Sequence, residues 1–333
     1  MKAMQLREIG PIESSPLVLT ELADPQPGAG QVRVRVRCCG VCRTDLHVIE
    51  GDLPRQKLPL IPGHQIVGVI DAIGEGCSRF SYGQRVGVAW LRHTCGQCRF
   101  CTSGRENLCE SQQFTGYHAD GGYAELAVAP EDFLYALPDA FSDIEAAPLL
   151  CAGIVGYRAL KRSRPQRGGT LAIYGFGSSA HVIIQIAIHR NIDVYVVTRS
   201  ELHRDLARKM GAKWAGSHAS DMPVKVHSAI IFAPAGELVP QALDQLDKGG
   251  TLSLAGVHMT PIPKMDYGRY LFHERDICSV AANTRDDGRE LLAEAAEIPI
   301  RPHTASYPLH EANRALQDVK SDSIRGTGVL VVH

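Results

Sequence analysis

Four cysteines fall within one short stretch of the chain, as Cys95-x2-Cys98-x2-Cys101-x7-Cys109. Thiolates at that spacing can close a tetrahedron on Zn²⁺ without help from elsewhere in the sequence. Gly96 and Gly104 allow the tight backbone turns that wrapping an ion requires. With four protein donors no place remains for water or substrate, so the zinc expected here is structural. A redox Cys-x-x-Cys suits the pattern less well, because three successive thiols at spacing three serve a metal better.

A catalytic zinc instead needs three protein ligands and a free position. Its candidates are dispersed: Cys42 in Gly40-Val41-Cys42-Arg43-Thr44-Asp45-Leu46-His47, His64 in Gly63-His64-Gln65, and Cys151 in Leu149-Leu150-Cys151-Ala152-Gly153. Singly each is weak, since a lone cysteine such as Cys77 or Cys278 is usually a core residue. Spacing does not bring the three together; the fold must do so.

A third pattern, Gly175-x-Gly177-x-x-Ala180, stands between a buried-strand run, Thr170 to Tyr174, and an apolar helical stretch, Val182 to Ile188. In that context Gly175 makes the turn, Gly177 lets backbone approach a pyrophosphate, and Ala180 permits close helix–strand packing. The next strand-like run, Asp193 to Val197, is followed by Thr198-Arg199-Ser200 rather than by an acid. Hydroxyls with a guanidinium form a site for a 2′-phosphate, so NADP(H) is the expected cofactor. Glu201 keeps NAD(H) open as the alternative.

The elements that must position these groups come in two textures. The first half holds β-type runs punctuated by Gly and Pro, among them the period-2 stretch Gln31 to Arg37 and the apolar stretch Ile66 to Ile73. Such runs without intervening helices predict an antiparallel or barrel-like β domain. From about residue 152, strands at 170–174, 193–197, 228–232, 251–255 and 277–281 alternate with helices at 182–188, 202–210 and 238–246. That alternation predicts an α/β, doubly wound parallel sheet. The tail, from about residue 283, returns to a helix and a strand at 328–332, which folds back onto the first domain. No internal repeat or low-complexity segment is present.

Length and composition agree with two globular domains: 333 residues, 44% apolar and 21% charged. Lys+Arg total 35 against Asp+Glu 36, which gives no electrostatic footprint for nucleic acid or an anionic membrane. No apolar run approaches the roughly 18 residues of a membrane span. The start, Met1 to Glu8, meets charge at once and does not read as a signal peptide. Ten cysteines without an export signal predict a cytoplasmic protein, with clustered thiols acting as metal ligands rather than disulfides.

Gly63-His64-Gln65-Ile66-Val67-Gly68, with Gly74 six residues on, resembles the zinc signature of medium-chain alcohol dehydrogenases. The Cys95 to Cys109 lobe is similar to that family's structural zinc loop, and the Gly175 turn to its dinucleotide turn. The motifs keep the family's order over essentially the whole chain, closest to the short bacterial and cinnamyl-alcohol-like branch. The resemblance implies a GroES-like β-rich catalytic domain from residues 1–151 and 283–333, with the zinc lobe at about 92–112. A Rossmann domain at 152–282 lies between them, with the active site in the cleft. It implies that Cys42, His64 and Cys151 hold a catalytic zinc, making two zincs per chain, and that Asp45 orients His64. It further implies pyrophosphate contacts from Arg43 and Arg325, and a pocket lined by Trp90, Ile49 and Leu53. The expected assembly is a homodimer or homotetramer joined through the Rossmann sheet edge.

The implied reaction is reversible oxidation of a medium-chain or aromatic primary alcohol to its aldehyde. Zinc acidifies the bound alcohol, the nicotinamide takes the hydride, and Thr44 and His47 pass the proton to solvent. Two family positions differ: Gln65 stands where glutamate is usual, and Val155 where many relatives carry threonine. The rival readings are a polyol or amino-alcohol dehydrogenase on the same fold, which Cys151 disfavours, a zinc-free quinone reductase, which lacks the ligand set, and a non-catalytic NADP-binding sensor. The sensor would have no reason to keep three dispersed ligands beside Thr44 and His47.

Overall fold

In the strand Gln31–Val41 of the computed structural model, Val32, Val34 and Val36 are buried while Arg33, Arg35 and Arg37 lie on the opposite face. Period-2 alternation puts the valines into the core. It leaves Arg33 and Arg35 to pair with Asp71 of the neighbouring strand, at 2.8 and 2.9 Å. The structure describes every residue except Arg55, Gln56, Pro299 and His333. The chain divides into two units.

The first unit comprises Met1–Ala152, Thr284–Ala296 and Pro302–His333. Its main sheet runs in the order Thr304–Pro308, Thr327–Val331, Gln31–Val41, Gln65–Ile73, Arg85–Val88 and Leu134–Ala136, and Leu126–Pro130 also pairs with Gln31–Val41. The tail does return: Thr327–Val331 runs antiparallel to Gln31–Val41, with Leu330 opposite Cys39. Bulges after Arg33 and Val36 curve the long central strand. Its buried face joins Ala3, Leu6, Ile12, Ile66, Ile70 and Leu316 in one apolar core.

The second unit comprises Gly153–Asn283 and Glu297–Arg301. Six parallel strands lie in the order Trp214–Gly216, Asp193–Val197, Thr170–Tyr174, Val226–Ile231, Leu246–Leu254 and Asp276–Ser279. This is the doubly wound 3-2-1-4-5-6 order, with the topological switch beside the first strand. Thr170–Tyr174 and Asp193–Val197 have the bounds read from sequence. The helix Ser178–His189 begins four residues earlier than its apolar stretch suggests, because its first turn is polar and apolar periodicity misses it. Leu246–Leu254 likewise begins early, since Asp247-Lys248-Gly249 is a polar, exposed entry to a buried strand. Among the described residues no helix is long and apolar enough to cross a membrane.

Candidate active site

Strand pairing assembles the dispersed residues. Gly40, near the end of one strand, faces Gln65, the first residue of the next. Cys42 and His64, just beyond these partners, are thereby brought side by side. The approach is tight: a Cβ on Gly40 would stand 2.9 Å from the Gln65 side chain. Cys42 caps the helix Arg43–Glu50, and Cys151 follows the short turn Ala147–Leu150 packed on the same sheet.

The three donor atoms form a triangle. His64 Nε2 lies 3.4 Å from Cys42 Sγ and 3.2 Å from Cys151 Sγ, and the sulfurs are 4.0 Å apart. A tetrahedral zinc with ordinary Zn–S and Zn–N bonds spaces such ligands by roughly 3.6–3.8 Å. The donor set therefore fits zinc in chemistry and size. His64 is fully buried, while both thiols keep partial solvent access. The hydrogen bond with Cys151 and the neighbouring His64 hold the Cys42 thiol down at about 5 against burial, while the same Cys42 contact and burial push Cys151 well up. Burial opposes charge on His64, but Asp45 and the Cys42 thiolate outweigh it and raise the imidazole to about 10. The cluster thus already stabilises a thiolate beside a cation, and a metal would take the protons' place.

Asp45 serves two elements at once. Its Oδ1 stands 3.0 Å from His64 Nδ1, and its Oδ2 accepts from the Cys42 N–H at 3.0 Å. One buried carboxylate so fixes the imidazole and caps the helix. Asp45→Asn is expected to lower metal affinity or turnover by about 10–100-fold, which zinc titration against a competing chelator checks directly.

The second cluster, Cys95, Cys98, Cys101 and Cys109, has all four sulfurs within 4.8 Å of one another. Backbone N–H groups of Gln97 and Cys98 lead in holding the Cys95 thiol down at about 6. Gly104 ends a turn with φ +71° where nothing would obstruct a side chain, so conformation rather than space calls for glycine. Glu106, in the same lobe, accepts from the Arg285 backbone N–H (2.8 Å) and from its guanidinium (2.7 and 3.0 Å). That pair fastens the lobe to the helix Arg285–Glu297.

The remaining residues separate. Trp90 packs edge-on to the His64 ring at 4.8 Å and stacks on Phe114 (4.8 Å) and Tyr117 (5.9 Å). Leu53 joins this cluster with Val48 and Leu60, whereas Ile49 is fully buried in the main core. Thr44 is buried, and His47 Nδ1 pairs with Asp52 Oδ2 at 2.8 Å. Arg43 lies 3.8 Å from Asp322, and Arg325 is exposed in the bend before the last strand. Phe114, Tyr117 and Asp52 were not singled out from sequence; the aromatic run 114–118 was the available signal for the first two.

In the second unit Gly175 turns with φ +86° at the end of its strand. Gly177 caps Ser178–His189 with φ −97°, and a Cβ there would meet nothing within 4 Å. Neither strain nor packing demands that glycine, and a dinucleotide approaching the backbone would. Ala180 is fully buried. Arg199 is exposed past Asp193–Val197, with Thr198 buried beside it. Glu201 is engaged by Arg204 and Arg208, and Arg204 also donates to the Thr198 and Arg199 carbonyls.

A GroES-like β unit, a doubly wound unit and two thiol-rich metal clusters define a zinc-binding dehydrogenase. Residues 28–139 match the family described as alcohol dehydrogenase GroES-like domain, and residues 180–297 that described as zinc-binding dehydrogenase. The chain is 47% identical over 337 residues to "Probable alcohol dehydrogenase AdhA" of Mycobacterium tuberculosis, spanning 100% of this chain and 97% of that one. An alcohol dehydrogenase of Geobacillus stearothermophilus is 37% identical, over 94% of this chain and 95% of its own. A cinnamyl alcohol dehydrogenase from Sorghum bicolor superposes with a TM-score of 0.89 at 25% identity, covering 99% and 97% of the two chains. The chain belongs to the zinc-dependent medium-chain alcohol dehydrogenase family, oxidoreductases that act on small-molecule alcohols.

Proposed function

We propose that the protein interconverts primary alcohols, medium-chain or aromatic, with their aldehydes, using NADP(H) in preference to NAD(H). The observation that carries this reading is the Cys42–His64–Cys151 triangle, three donors with no fourth among the described residues, and an aromatic wall against His64. These residues would hold zinc, which when bound acts as a Lewis acid on the substrate oxygen. Cys95, Cys98, Cys101 and Cys109 would hold a second, structural zinc.

The chain's own groups supply the rest. Asp45 keeps the imidazole tautomer with Nε2 directed at the sulfurs. Trp90, Phe114 and Tyr117 offer a flat apolar wall that favours an aromatic or aliphatic tail and excludes water. Thr44 would accept a hydrogen bond from the substrate hydroxyl and give its own proton on towards His47, one helical turn on, whose Nδ1 is steadied by Asp52. The Gly175–Gly177 turn would receive the pyrophosphate.

Arg199 beside the Thr198 hydroxyl supports NADP(H), and the engagement of Glu201 by two arginines removes the acid that would repel a 2′-phosphate. Arg199→Asp is expected to lower kcat/KM for NADP(H) by on the order of 100-fold while sparing NAD(H). Paired initial rates with both cofactors test this; an unchanged ratio contradicts the assignment. The exposed Val257, Tyr267 and Phe272 near the sheet's last strand support a homo-oligomer, dimer or tetramer.

A further inference from the structure

Arg92 is the residue whose placement the reading above leaves without a purpose. It lies in the short strand Leu91–His93, which pairs antiparallel with Gln113–Phe114. Leu91 faces Phe114 and His93 faces Gln113, so Arg92 is the extra residue of a bulge. Bulges re-aim a side chain and gather beside functional sites. Here the re-aimed side chain is only 7% exposed, and its Nη1 is enclosed with no hydrogen-bond partner. Among the described residues no carboxylate pairs with it.

Asp120, the acid whose charge acts on Arg92, is already committed. Asp120 Oδ1 accepts from the Ile61 N–H at 3.0 Å, and Oδ2 pairs with Lys57 Nζ at 2.5 Å. Asp120 and Arg92 attract each other through space, and Arg92's charge helps lower the His118 imidazole below its usual range, after burial. His118 packs against Phe114 and Tyr117, members of the wall that reaches His64. Two neighbours are equally unsatisfied: Gln112 Oε1 and Thr115 Oγ1 are buried without partners, on either side of the strand opposite Arg92. The Gln112 amide can be turned end for end to donate.

A guanidinium nitrogen enclosed without a partner is costly, and such groups are normally paired. Arg92 and Lys57 against the single Asp120 leave the spot with a net positive charge, which suits a monoanion. Trp90, two residues before Arg92, touches the His64 ring. Two residues along the chain span at most roughly 7 Å, about the length of a para-substituted benzene ring or a short alkyl chain. We propose that Arg92 recognises a carboxylate on the substrate, and that the preferred alcohols and aldehydes carry that carboxylate at the end remote from the reacting carbon. This rests on the reading of Cys42, His64 and Cys151 as the reaction centre.

The test compares matched substrates on zinc-replete enzyme: 4-(hydroxymethyl)benzoate against 4-methylbenzyl alcohol, and 6-hydroxyhexanoate against hexanol. The carboxylates should be favoured in kcat/KM by about 10–100-fold, mainly through KM. In Arg92→Leu that preference should vanish, and Arg92→Lys should restore part of it. Equal kcat/KM for the two members of each pair, or a preference that survives Arg92→Leu, overturns the proposal. A second measurement needs no turnover: 4-methylbenzoate should raise the thermal midpoint of the wild type saturably and not that of Arg92→Leu. If no alcohol is oxidised yet 4-methylbenzoate still protects only the wild type, the reaction centre is misread while the anion site stands. No protection in the wild type removes the site.

Discussion

Cys42→Ser is expected to abolish turnover and to leave one zinc per chain instead of two. The hydroxyl is a poor zinc ligand, and His64 with Cys151 alone cannot hold the ion in place. Losing the Lewis acid removes several kcal/mol of transition-state stabilisation; at 1.36 kcal/mol per decade this is a rate loss on the order of 10³ or more. The fold should survive, because the pairing of Gly40 with Gln65 and the bond from Asp45 to the Cys42 N–H do not involve the sulfur. Metal analysis, circular dichroism and initial rates on one preparation decide the matter. Full activity would show that the reaction centre lies elsewhere.

Cys98→Ser should fail in the opposite sense, through stability. Its sulfur stands 3.5 Å from that of Cys101, and its N–H donates to Cys95 Sγ at 3.3 Å. The lobe holds almost no apolar core of its own: Cys109 is buried, while Cys95, Cys98 and Cys101 are half-buried. Structural zinc in such small lobes supplies apparent binding energies of about 10–16 kcal/mol, which become folding energy. Even a third of that lost from this chain should lower the thermal midpoint by roughly 5–8 °C. Glu106 would still tie that segment to Arg285. A midpoint and zinc content equal to those of the wild type would contradict a structural metal there.

Local patterns carried much of the fold. The valines of Gln31–Val41 and the uninterrupted apolar run of Thr170–Tyr174 announce their strands because burial on one face or both writes directly into sequence. The Cys95–Cys109 lobe is equally local, since all its donors lie on one short loop. Cys42, His64 and Cys151 are different. Their meeting depends on strand register and on a turn contributed from far along the chain, so only family resemblance gathered them in advance. Ile49 shows the limit of such transfer: helix phase turns it into the core, while Leu53, past the helix end, reaches the aromatic cluster. Arg92 left no signal at all, because a bulge between two short strands is a property of pairing and not of the residue.

Gln65 remains the unusual feature of the centre. It is fully buried beside His64, and both amide atoms lack partners. In place of the family's usual glutamate it spares the site a second buried negative charge next to Asp45.

The central claim is that the Cys42–His64–Cys151 centre oxidises alcohols. Initial rates of purified protein holding two zincs per chain, on benzyl alcohol and hexanol with NADP and with NAD, test it most directly. Turnover with both alcohols, faster with NADP, is the result expected. No turnover with either cofactor would contradict it.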